Sequence, residues 1–430
     1  MRILVTGAAG FIGSAVCARL KSGGHQIVGV QRPGGSRAPA AALDEMVEVD
    51  FARAVRPADW EPFLGGVDAV VNCAGVLQDG PHDSTEGVHV TGAGALFAAC
   101  ERRGVRRVVH VSAIGVQRGA LTEFSRSKLA GDEALQASGL EWVILRPSVV
   151  LGRAAYGGSA LIRGLAALPL LPRVPDAGPL QVVQLDDLTL TIACLVEPGS
   201  PSRVALDVAG PERLGFAQVV AAYREWLGWR PARELRVPAV LFALGWRLGD
   251  LAGLLGWRSP MRTTARRELT RGAVGDPGPW RTLTGIEPRS LHDALVAEPA
   301  SVQERWFARL YLLKPLILLV LALFWIGTGI GSLGPGWETG VEHMRQAGAG
   351  ALAAPGVATG ALVDIFVGCA IAWRRTSRAG LYAALAVSLF YLTTSSLLLP
   401  VLWADPLGPL LKIFPIATLN VVALVLLEER

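Results

Sequence analysis

The chain opens with Met1-Arg-Ile-Leu-Val-Thr-Gly-Ala-Ala-Gly-Phe-Ile-Gly13, and this stretch decides the fold. The apolar run Ile3–Val5 predicts a buried parallel strand, glycines follow at G-x-x-G-x-x-G spacing, and a helical pattern begins at Ser14. A strand, a glycine turn and a helix N-terminus in this order present bare backbone N–H groups and the positive end of a helix dipole to a pyrophosphate. We therefore expect a dinucleotide to bind at this turn, on Thr6, Gly7, Gly10, Phe11, Ile12 and Gly13.

Composition limits the classes of protein to which the chain can belong. Its 430 residues suffice for two or three domains, and 51% of them are apolar, with the excess concentrated towards the C-terminal end. No secretory signal precedes the first predicted strand, so we expect a cytoplasmic N-terminal domain. The five cysteines contain no C-x-x-C pair, which argues against a disulfide framework and against a metal site such as zinc. The net charge of +5 does not indicate nucleic acid as a partner.

Alternation of apolar runs and helical stretches in residues 1 to about 150 predicts a doubly wound parallel α/β sheet of the Rossmann type. The predicted strands are Ile3–Val5, Gln26–Val30, Met46–Val49, Ala69–Asn72, Arg107–Val111 and Trp142–Leu145, with helices such as Gly92–Arg103 and Ser125–Ser138 between them. Residues 151 to about 298 are richer in Pro, Gly and Arg. We expect them to form a small second lobe of the same domain, which then covers residues 1–298.

The character of the chain changes from Tyr311 onward. Four apolar runs with very few charges follow, Leu312–Ile330, Val357–Trp373, Leu381–Leu399 and Leu410–Leu427. Each is close to the ~20 residues that a helix needs to cross the hydrocarbon core of a bilayer. The pattern predicts an all-α transmembrane bundle of four helices in residues 310–430, with the lipid bilayer as a partner.

Basic residues indicate the orientation of these helices. Arg305, Arg309 and Lys314 precede the first predicted span, and Arg374, Arg375 and Arg378 fill the link between the second and the third. The loop after the first span carries Glu338 and Glu342 against Arg345, and the link after the third span carries Asp405. By the positive-inside rule we expect a multi-pass protein of the cell (inner) membrane whose N-terminal domain and C-terminus are cytoplasmic.

A further apolar segment, Val240–Trp257, precedes the predicted spans. It carries Arg247 and Asp250, has tryptophans near both ends, and is followed by the basic residues Arg258, Arg262, Arg266, Arg267 and Arg271. Such a helix either lies on anionic lipid headgroups or packs within the small lobe, and the sequence leaves both alternatives open.

Several motifs follow one another in the order typical of one enzyme family. They are Thr6-Gly-Ala-Ala-Gly-Phe-Ile-Gly13, Val49-Asp-Phe51, Val71-Asn-Cys-Ala-Gly75, Val109-His-Val-Ser112, Ser127-Lys128, Arg146-Pro-Ser-Val-Val-Leu-Gly152, Gln181–Asp187 and Gly285-Ile286. Through them, residues 1–298 resemble the extended or atypical short-chain dehydrogenase/reductases, with nearest relatives among proteins similar to the NAD(P)H-binding accessory subunit of respiratory complex I. Residues 310–430 resemble the DoxX-like four-helix membrane domain, through the number of spans and residues such as Lys412 and Pro415.

The resemblance implies where a nicotinamide cofactor binds. After the second predicted strand, where an NAD-preferring site usually places an acid, the chain carries Arg32. We therefore expect NADP(H) to be favoured over NAD(H), with the guanidinium on the 2′-phosphate; the alternative is a solvated arginine at a loop tip. The resemblance assigns the remaining cofactor positions to Asp50 and Phe51 beside the adenine, Cys73, Ala74 and Gly75 along the ribose, and Ser112, Lys128, Pro147 and Val150.

The catalytic pattern of the family is incomplete in this chain. The related reductases use a Ser or Thr followed by Y-x-x-x-K, in which the Tyr phenol transfers a proton while hydride moves. The matching stretch here is Phe124-Ser-Arg-Ser-Lys128, and the expected Ser position falls near Ile114. Either Lys128 itself is the acid or base, or the domain binds NADPH without turning it over.

One ionisable residue lies inside a predicted span. Asp364 is costly at that depth unless it is paired or faces a polar cavity, so it is a functional candidate. The alternative is a hydrogen bond that packs helices together, with Thr393, Ser395 or Asn420 as its partner.

Three functions are compatible with these patterns. The first is a membrane-tethered NADP(H)-dependent oxidoreductase that acts on a small hydrophobic substrate or a quinone at the cytoplasmic face, alongside other membrane redox proteins. The second is a non-catalytic NADPH-binding subunit or sensor of a membrane assembly. The third is transport by the four-helix module, for which the spans offer few polar residues beyond Asp364.

Overall fold

The computed structural model describes residues 1–35, 38–80, 83–118, 122–174 and 176–427. They form two compact units, Met1–Leu251 with Ser259–Arg309, and Ala252–Arg258 with the chain from Leu310 onward. The last three residues, which the sequence prediction assigns to the membrane domain and to a cytoplasmic C-terminus, lie outside the described residues.

The first unit is built on a parallel sheet. The strands are β1 (Arg2–Thr6), β2 (Gln26–Gln31), β3 (Glu45–Glu48), β4 (Ala69–Asn72), β5 (Arg107–Val111), β6 (Glu141–Pro147), β7 (Val150–Leu151), β8 (Leu170–Pro172), β9 (Val183–Gln184), β10 (Val204–Val208) and β11 (Arg233–Leu235). Seven of them form the main sheet in the order β10-β6-β5-β4-β1-β2-β3. The predicted doubly wound fold and its first six strands are confirmed, and β10 is a seventh strand that the sequence pattern missed.

Two apolar layers cover the faces of this sheet, because successive strand residues point to opposite sides. Ile3 and Val5 belong to the layer that contains α1 (Phe11–Ser22), whereas Leu4 lies between them in the opposite layer. The helices of the first unit are α1, α2 (Gly92–Arg103), α3 (Glu123–Gln136), α4 (Gly157–Ala166), α5 (Leu185–Val196), α6 (Phe216–Trp226), α7 (Ala239–Leu254), α8 (Thr263–Arg271), α9 (Gly278–Thr284) and α10 (Leu291–Ala297). Burial of each Val, Leu or Ile side chain in these two apolar layers stabilises the fold by roughly 1.5–3 kcal/mol.

The small lobe has a separate apolar core. Ile162 of α4 and Tyr223 of α6 are buried in it together with Leu291 of α10. Two short parallel strand pairs, β8 with β11 and β7 with β9, complete the lobe. Chain segments of this lobe return to the carboxyl ends of the sheet strands, which is where the site is built.

The second unit is helical. Its helices are α11 (Val302–Leu333), which begins in the first unit, α12 (Trp337–Gln346), α13 (Ala353–Ala372), α14 (Ser377–Leu398) and α15 (Ile413–Leu426). In the described residues, three helices are long and apolar enough to span a membrane, α11, α13 and α14. The predicted fourth span is wrong in length, because α15 has 14 residues and reaches only about 21 Å against a hydrocarbon core of about 30 Å.

Candidate functional site

The glycine turn after β1 has the geometry that its spacing predicts. Gly7 has a φ of +64°, a left-handed conformation that favours glycine. A Cβ atom on Gly13 would lie 2.1 Å from the Gly7 carbonyl oxygen, so only a hydrogen atom fits where α1 crosses the turn. The Gly10 N–H donates to the Gly7 carbonyl over 2.8 Å and closes the loop.

The N-terminus of α1 is open to a ligand. Gly10 is its N-cap and supplies no side-chain hydrogen bond, and the first backbone bond of the helix runs from the Ser14 N–H to the Gly10 carbonyl. The N–H groups of the first helical turn are therefore available to an anion, as in a pyrophosphate cradle. The Tyr156 ring stacks on Phe11 at 6.4 Å, and sequence reasoning missed this residue because it lies far along the chain.

Hydrogen bonds hold the neighbouring strand end against this turn. Thr6 Oγ1 donates to Asn72 Oδ1 over 2.6 Å, and the Ala74 N–H lies 3.3 Å from Thr6 Oγ1. The next residue after Asn72 is Cys73, and burial raises the pKa of its thiol well above the usual value. Cys73 is thus an unreactive packing residue of the cofactor turn.

The chain after β2 and β3, where the resemblance places the adenosine, contains two ion pairs that the sequence did not predict, Arg32 with Asp83 and Asp50 with Arg53. Arg32 Nη1 lies 2.8 Å from an Asp83 carboxylate oxygen, so the residue expected on a 2′-phosphate is ion-paired. Asp50 is partly exposed after β3, as a residue beside an adenine would be. Phe51 differs, because its ring is buried against Trp60 at 4.8 Å, which leaves its backbone as the part able to line the site.

Lys128 of α3 is a buried charged group at the carboxyl ends of the sheet strands, where the resemblance implies the reaction end of the cleft. Its side chain is 4% exposed, and Nζ donates to the Val111 carbonyl over 2.9 Å at the end of β5. A Cβ atom on Gly75 would lie 3.3 Å from this Nζ, so the cofactor turn and Lys128 meet directly. Burial lowers the pKa of Lys128 to about 8, although Asp132 partly opposes the shift.

A π-helical turn, Gly87–Thr91, precedes α2 and carries His89 into the same region. The Val76 N–H donates to His89 Nε2 over 3.1 Å, so the ring proton is on Nδ1, which lies 2.8 Å from Ser127 Oγ. Burial is the main cause that lowers the pKa of His89 to about 2, and the ring is therefore neutral. Its edge meets the Phe124 ring at 5.7 Å.

Two buried charged residues, Asp132 on α3 and Arg146 on β6, form an ion pair near the site. Asp132 is fully buried on α3, and its carboxylate lies 3.0 Å from Arg146 Nε and 3.6 Å from His110 Nε2. His110 Nδ1 lies 3.0 Å from Asn72 Nδ2, which extends the chain of polar contacts to Thr6 and the glycine turn. Burial raises the pKa of Asp132, while Ser112 and Arg146 oppose the shift.

Two residues of α8 contact the stretch where the catalytic pattern is incomplete. Ser125 Oγ donates to Glu268 Oε1 over 3.0 Å and accepts from Arg271 Nη1 over 2.6 Å. Arg271 Nη2 also lies 3.4 Å from the carbonyl of Ile114, whose side chain is buried. Glu268 and Arg271 also form an ion pair with each other. No sequence pattern predicts their contacts with Ser125, because about 145 residues separate them from it.

The last assigned cofactor positions lie where β6 ends. Pro147 is the final residue of β6, its carbonyl accepts from the Ile114 N–H over 3.0 Å, and Val150 opens β7. The Ser112 N–H donates to the Leu145 carbonyl over 2.7 Å, which joins the ends of β5 and β6. The structure thus brings the assigned residues from the glycine turn to Val150 to one edge of the sheet.

Asp364 of the second unit lies apart from these residues in the sequence and has a different partner from the predicted ones. The Tyr391 hydroxyl donates to Asp364 Oδ1 over 3.0 Å, so Tyr391 replaces Thr393, Ser395 and Asn420 as the hydrogen-bond partner. Asp364 and Asn420 are both buried. Across the described ranges, no group of His, Cys, Asp and Glu is arranged to hold a metal ion.

Comparison with known proteins identifies two domains. Residues 7–163 match the model of an NAD(P)H-binding family, and residues 322–421 match the model of the DoxX-like family. The chain therefore joins an NAD(P)H-binding Rossmann domain, similar to reductases and epimerases, to a DoxX-like domain. Together with the three long apolar helices, the DoxX-like domain indicates membrane association.

Individual relatives agree with this division. An uncharacterized protein of Mycobacterium tuberculosis is 30% identical over 223 residues, which are 52% of this chain and only 23% of that protein. The ceramide reductase of Caulobacter vibrioides is 22% identical over 55% of this chain and 73% of its own. The Bordetella bronchiseptica enzyme WbmG in complex with NAD has the same fold, with a TM-score of 0.52 at 19% identity over 69% of this chain and 92% of that chain.

Proposed function

We propose that the protein is a membrane-bound, NADP(H)-dependent oxidoreductase that reduces a hydrophobic, lipid-like or quinone-like substrate at the cytoplasmic face. The observation that carries the proposal is the position of Lys128, whose Nζ is buried against the Val111 carbonyl beside the cofactor turn. An ammonium group held there is suited to binding a nicotinamide ribose and to supplying a proton.

The residues of the cleft fit a dinucleotide. The uncapped N-terminus of α1 offers N–H groups to a pyrophosphate, and the space above Gly13 and Gly7 is closed to any side chain. Bound NADPH supplies a hydride to an electrophilic carbon of the substrate. The oxygen of the reduced carbonyl or quinone then needs a proton, and Lys128 Nζ is the group in the cleft that can donate it, since Phe124 cannot.

Three observations support a hydrophobic substrate in a membrane. The DoxX-like domain and the three long apolar helices bring the Rossmann domain to a bilayer. The Caulobacter relative is named for the reduction of a ceramide, a membrane lipid. Basic residues in the links that the positive-inside rule assigns to the cytoplasm, among them Arg374 and Arg378, support a multi-pass topology with the Rossmann domain inside the cell.

The proposed preference for NADP(H) rests on Arg32. Its guanidinium is paired with Asp83 at 2.8 Å, in a partly exposed position where a 2′-phosphate can exchange with the carboxylate. A bidentate guanidinium–phosphate contact is stronger than the pair it replaces, because the phosphate carries more charge.

The test uses the full chain in lipid nanodiscs. Binding of NADPH and NADH is measured by calorimetry, and oxidation is followed at the nicotinamide absorbance band with a short-chain quinone and with a keto-lipid. We expect NADPH oxidation in the wild type and a loss of kcat of roughly 10²–10⁴-fold in Lys128→Met, the range for removal of a general acid. Arg126→Met, an exposed cation on the same helix, is the matched control and retains the rate.

The pH profile gives an independent readout. The donor is the ammonium form of Lys128, which is populated below its pKa of about 8 and is lost as the pH rises through that value. Reductive turnover of the wild type is therefore expected to fall above about pH 8. Tight NADPH binding without oxidation of any acceptor would contradict the reductase proposal, and absence of binding would overturn the cofactor site itself.

A non-catalytic NADPH-binding subunit is the second candidate. The specific observation in its favour is the loss of hydroxyl groups at the reaction end, where Phe124 and Ile114 stand in place of the family's Tyr and Ser. The hydroxyl of Ser125 does not replace them, because it is fully buried between Glu268 and Arg271. Binding without turnover in the experiment above would select this function.

A further inference from the structure

Helix α7 exposes an apolar face. From Leu241 onward its exposed apolar side chains recur at intervals of three or four residues, and together with Val240 they lie on one side of the helix; they are Val240, Leu241, Leu244, Leu248, Leu251 and Leu254. Leu254 is 74% exposed and Val240 is 71% exposed. A helix on the surface of a soluble domain turns such a stripe inward, so this arrangement requires an apolar environment outside the protein.

The opposite face of α7 is already occupied. Trp246 is buried, and a Cβ atom on Gly249 would lie 1.6 Å from the Met261 carbonyl oxygen. The Asp250 carboxylate accepts from the Thr263 N–H over 3.1 Å and also binds the Thr263 hydroxyl. These contacts fix the rotation of α7, and the leucine face cannot turn inward without breaking them.

Exposed basic residues of α7 and of the helix that follows it match an anionic surface, and Arg247, three residues after Leu244 and four before Leu251, lies on the leucine face itself. Arg247 of α7 and Arg266 and Arg267 of α8 have exposed side chains. An amphipathic helix with an apolar face and basic neighbours binds the headgroup region of anionic lipids.

The residues that follow α7 reach the end of a membrane-spanning helix. Trp257 Nε1 donates to the Ala372 carbonyl over 2.8 Å at the end of α13, and the Arg374 N–H donates to the Leu255 carbonyl over 3.0 Å. The Arg374 guanidinium lies over the Trp257 ring at 5.5 Å. Tryptophan and arginine at the end of a span are typical of the membrane–water interface, so the chain leaves α7 at the level of the headgroups.

We propose that α7 lies in the plane of the membrane, with its leucine face at the boundary between headgroups and acyl chains of an anionic cytoplasmic leaflet. This inference rests on the membrane placement in the proposed function and adds a second contact with the bilayer, in the first unit. A second copy of the chain or a protein partner on this face is the outcome that the test must separate from lipid.

The segment that follows α7 packs against the Rossmann domain near the proposed site. The segment after α7 contacts the chain that follows Cys73–Gly75, since Gln78 Nε2 donates to the Ser259 carbonyl over 3.2 Å and Arg262 Nη1 donates to the Asp79 carbonyl over 3.0 Å. Helix α8 then reaches Ser125 through Glu268. The chain that leaves α7 therefore contacts the Rossmann domain at Gln78, Asp79 and Ser125.

The test places one fluorescent probe on the leucine face of the full chain. Cys194 and Cys369, the exposed cysteines, are changed to Ser, and Leu244→Cys is labelled with a small environment-sensitive dye. The protein is placed in nanodiscs of mixed anionic lipid that carry a nitroxide at the headgroup or along the acyl chain. We expect the probe to lose about half or more of its emission to the headgroup and upper-chain nitroxides.

Two control positions separate the possible failures. A probe at Phe366→Cys on α13, where the native side chain is 77% exposed, must be quenched if the second unit spans the bilayer. A probe at Arg53→Cys, on an exposed loop of the Rossmann domain, must remain unquenched by lipid and accessible to aqueous iodide. Loss of quenching at Phe366 would overturn the membrane placement of the proposed function rather than the inference on α7 alone.

The remaining outcomes address α7 itself. Quenching at Phe366 but not at Leu244 would overturn the inference, with iodide access indicating a bare helix and iodide exclusion indicating a protein partner or a second copy. Equal quenching at Leu244 in discs of purely zwitterionic lipid would overturn the requirement for an anionic leaflet.

Discussion

The two ends of the cleft differ in how much of the reductase pattern they keep. At the phosphate end, Gly7, Gly10 and Gly13 form a turn that admits no side chain at Gly13, and no side chain caps the N-terminus of α1. At the reaction end, Lys128 remains while Phe124 and Ile114 occupy the positions of the usual hydroxyl groups. The cofactor end is therefore specified by backbone geometry, and the reaction end by a single buried cation.

This difference leaves one question about function, which is whether a bound cofactor reacts. Backbone N–H groups and glycines can bind a dinucleotide whether or not it reacts, so the intact turn supports both candidate functions. The buried pair of Asp132 with Arg146 near Lys128 is harder to explain by stability alone, because the desolvation of two buried ions can exceed the gain from their pairing. Four substitutions test this difference between the two ends of the cleft.

Removal of the buried carboxylate at the reaction end is expected to have the largest effect. Asp132→Asn leaves Arg146 without its partner at 3.0 Å in a buried position, which lowers the free energy of unfolding by about 3 kcal/mol. The loss also lowers the pKa of Lys128 further, since Asp132 raises it. Thermal unfolding and the pH profile of turnover measure the two effects; Asp59→Asn, a surface pair, is the control. An unchanged melting temperature would mean that the buried pair contributes nothing.

A methyl group at the phosphate end tests the glycine geometry. In Gly13→Ala the new Cβ atom meets the Gly7 carbonyl oxygen at 2.1 Å, and such overpacking costs roughly 1–3 kcal/mol. We expect NADPH affinity, measured by calorimetry, to fall by about 10–100-fold. Gly94→Ala on α2, where nothing lies within 4 Å of the added atom, is expected to bind NADPH normally. Normal binding by both variants would remove the special role of the turn.

Restoring the tyrosine of the family motif returns a phenol hydroxyl to the reaction end of the cleft. Phe124→Tyr rebuilds Y-x-x-x-K on α3 at a partly exposed position. We expect at least a roughly tenfold rise in kcat with a carbonyl acceptor, since a positioned general acid contributes more than this in other enzymes. Phe124→Leu is the control and gains no activity. If the tyrosine variant is also no faster, proton donation at this position does not limit the reaction.

The smallest effect concerns cofactor choice. Arg32→Ala removes the guanidinium proposed to bind the 2′-phosphate, and we expect NADPH to bind roughly tenfold more weakly while NADH binding is unchanged. Equal losses for both cofactors would show that Arg32 acts on the loop rather than on the phosphate. Arg106→Ala, an exposed arginine before β5, controls for the change in net charge.

Local sequence patterns predicted most of the sheet, because a parallel strand buried on both faces reads as an apolar run. Strand β10 was missed because Val204–Val208 is interrupted by Asp207 and is an edge strand that pairs only with β6. The fourth span was predicted too long, since residues 407–412 form turns before Pro415 enters the first turn of α15. In both cases the apolar content was visible but the backbone geometry depended on neighbours.

The candidate site also contains residues that local patterns predicted and contacts that they did not. Gly7 and Gly13 were predicted from their spacing between a strand and a helix, and Lys128 was predicted from the resemblance to the family motif. The contacts of Asp132 with Arg146 and of Glu268 with Ser125 were not, because they join segments that only the tertiary fold brings together. Tyr391 was likewise not predicted as the partner of Asp364, because the packing of α14 against α13 decides which polar residue of α14 reaches the carboxylate.

The π-helical turn that carries His89 has a consequence for how this chain can vary. A π turn contains one residue more than the α-helical turn it replaces, so deletion of one residue between Gly87 and Gly92 would restore regular winding and rotate the preceding side chains by about 100°. His89 would then lose Ser127 and the Val76 N–H together. Gly92 fixes the other boundary, because a Cβ atom there would lie 2.2 Å from the Phe51 carbonyl oxygen. The length of this segment is thus constrained as tightly as the identity of its histidine, and functional descendants of this chain are expected to accept substitutions here more readily than insertions or deletions.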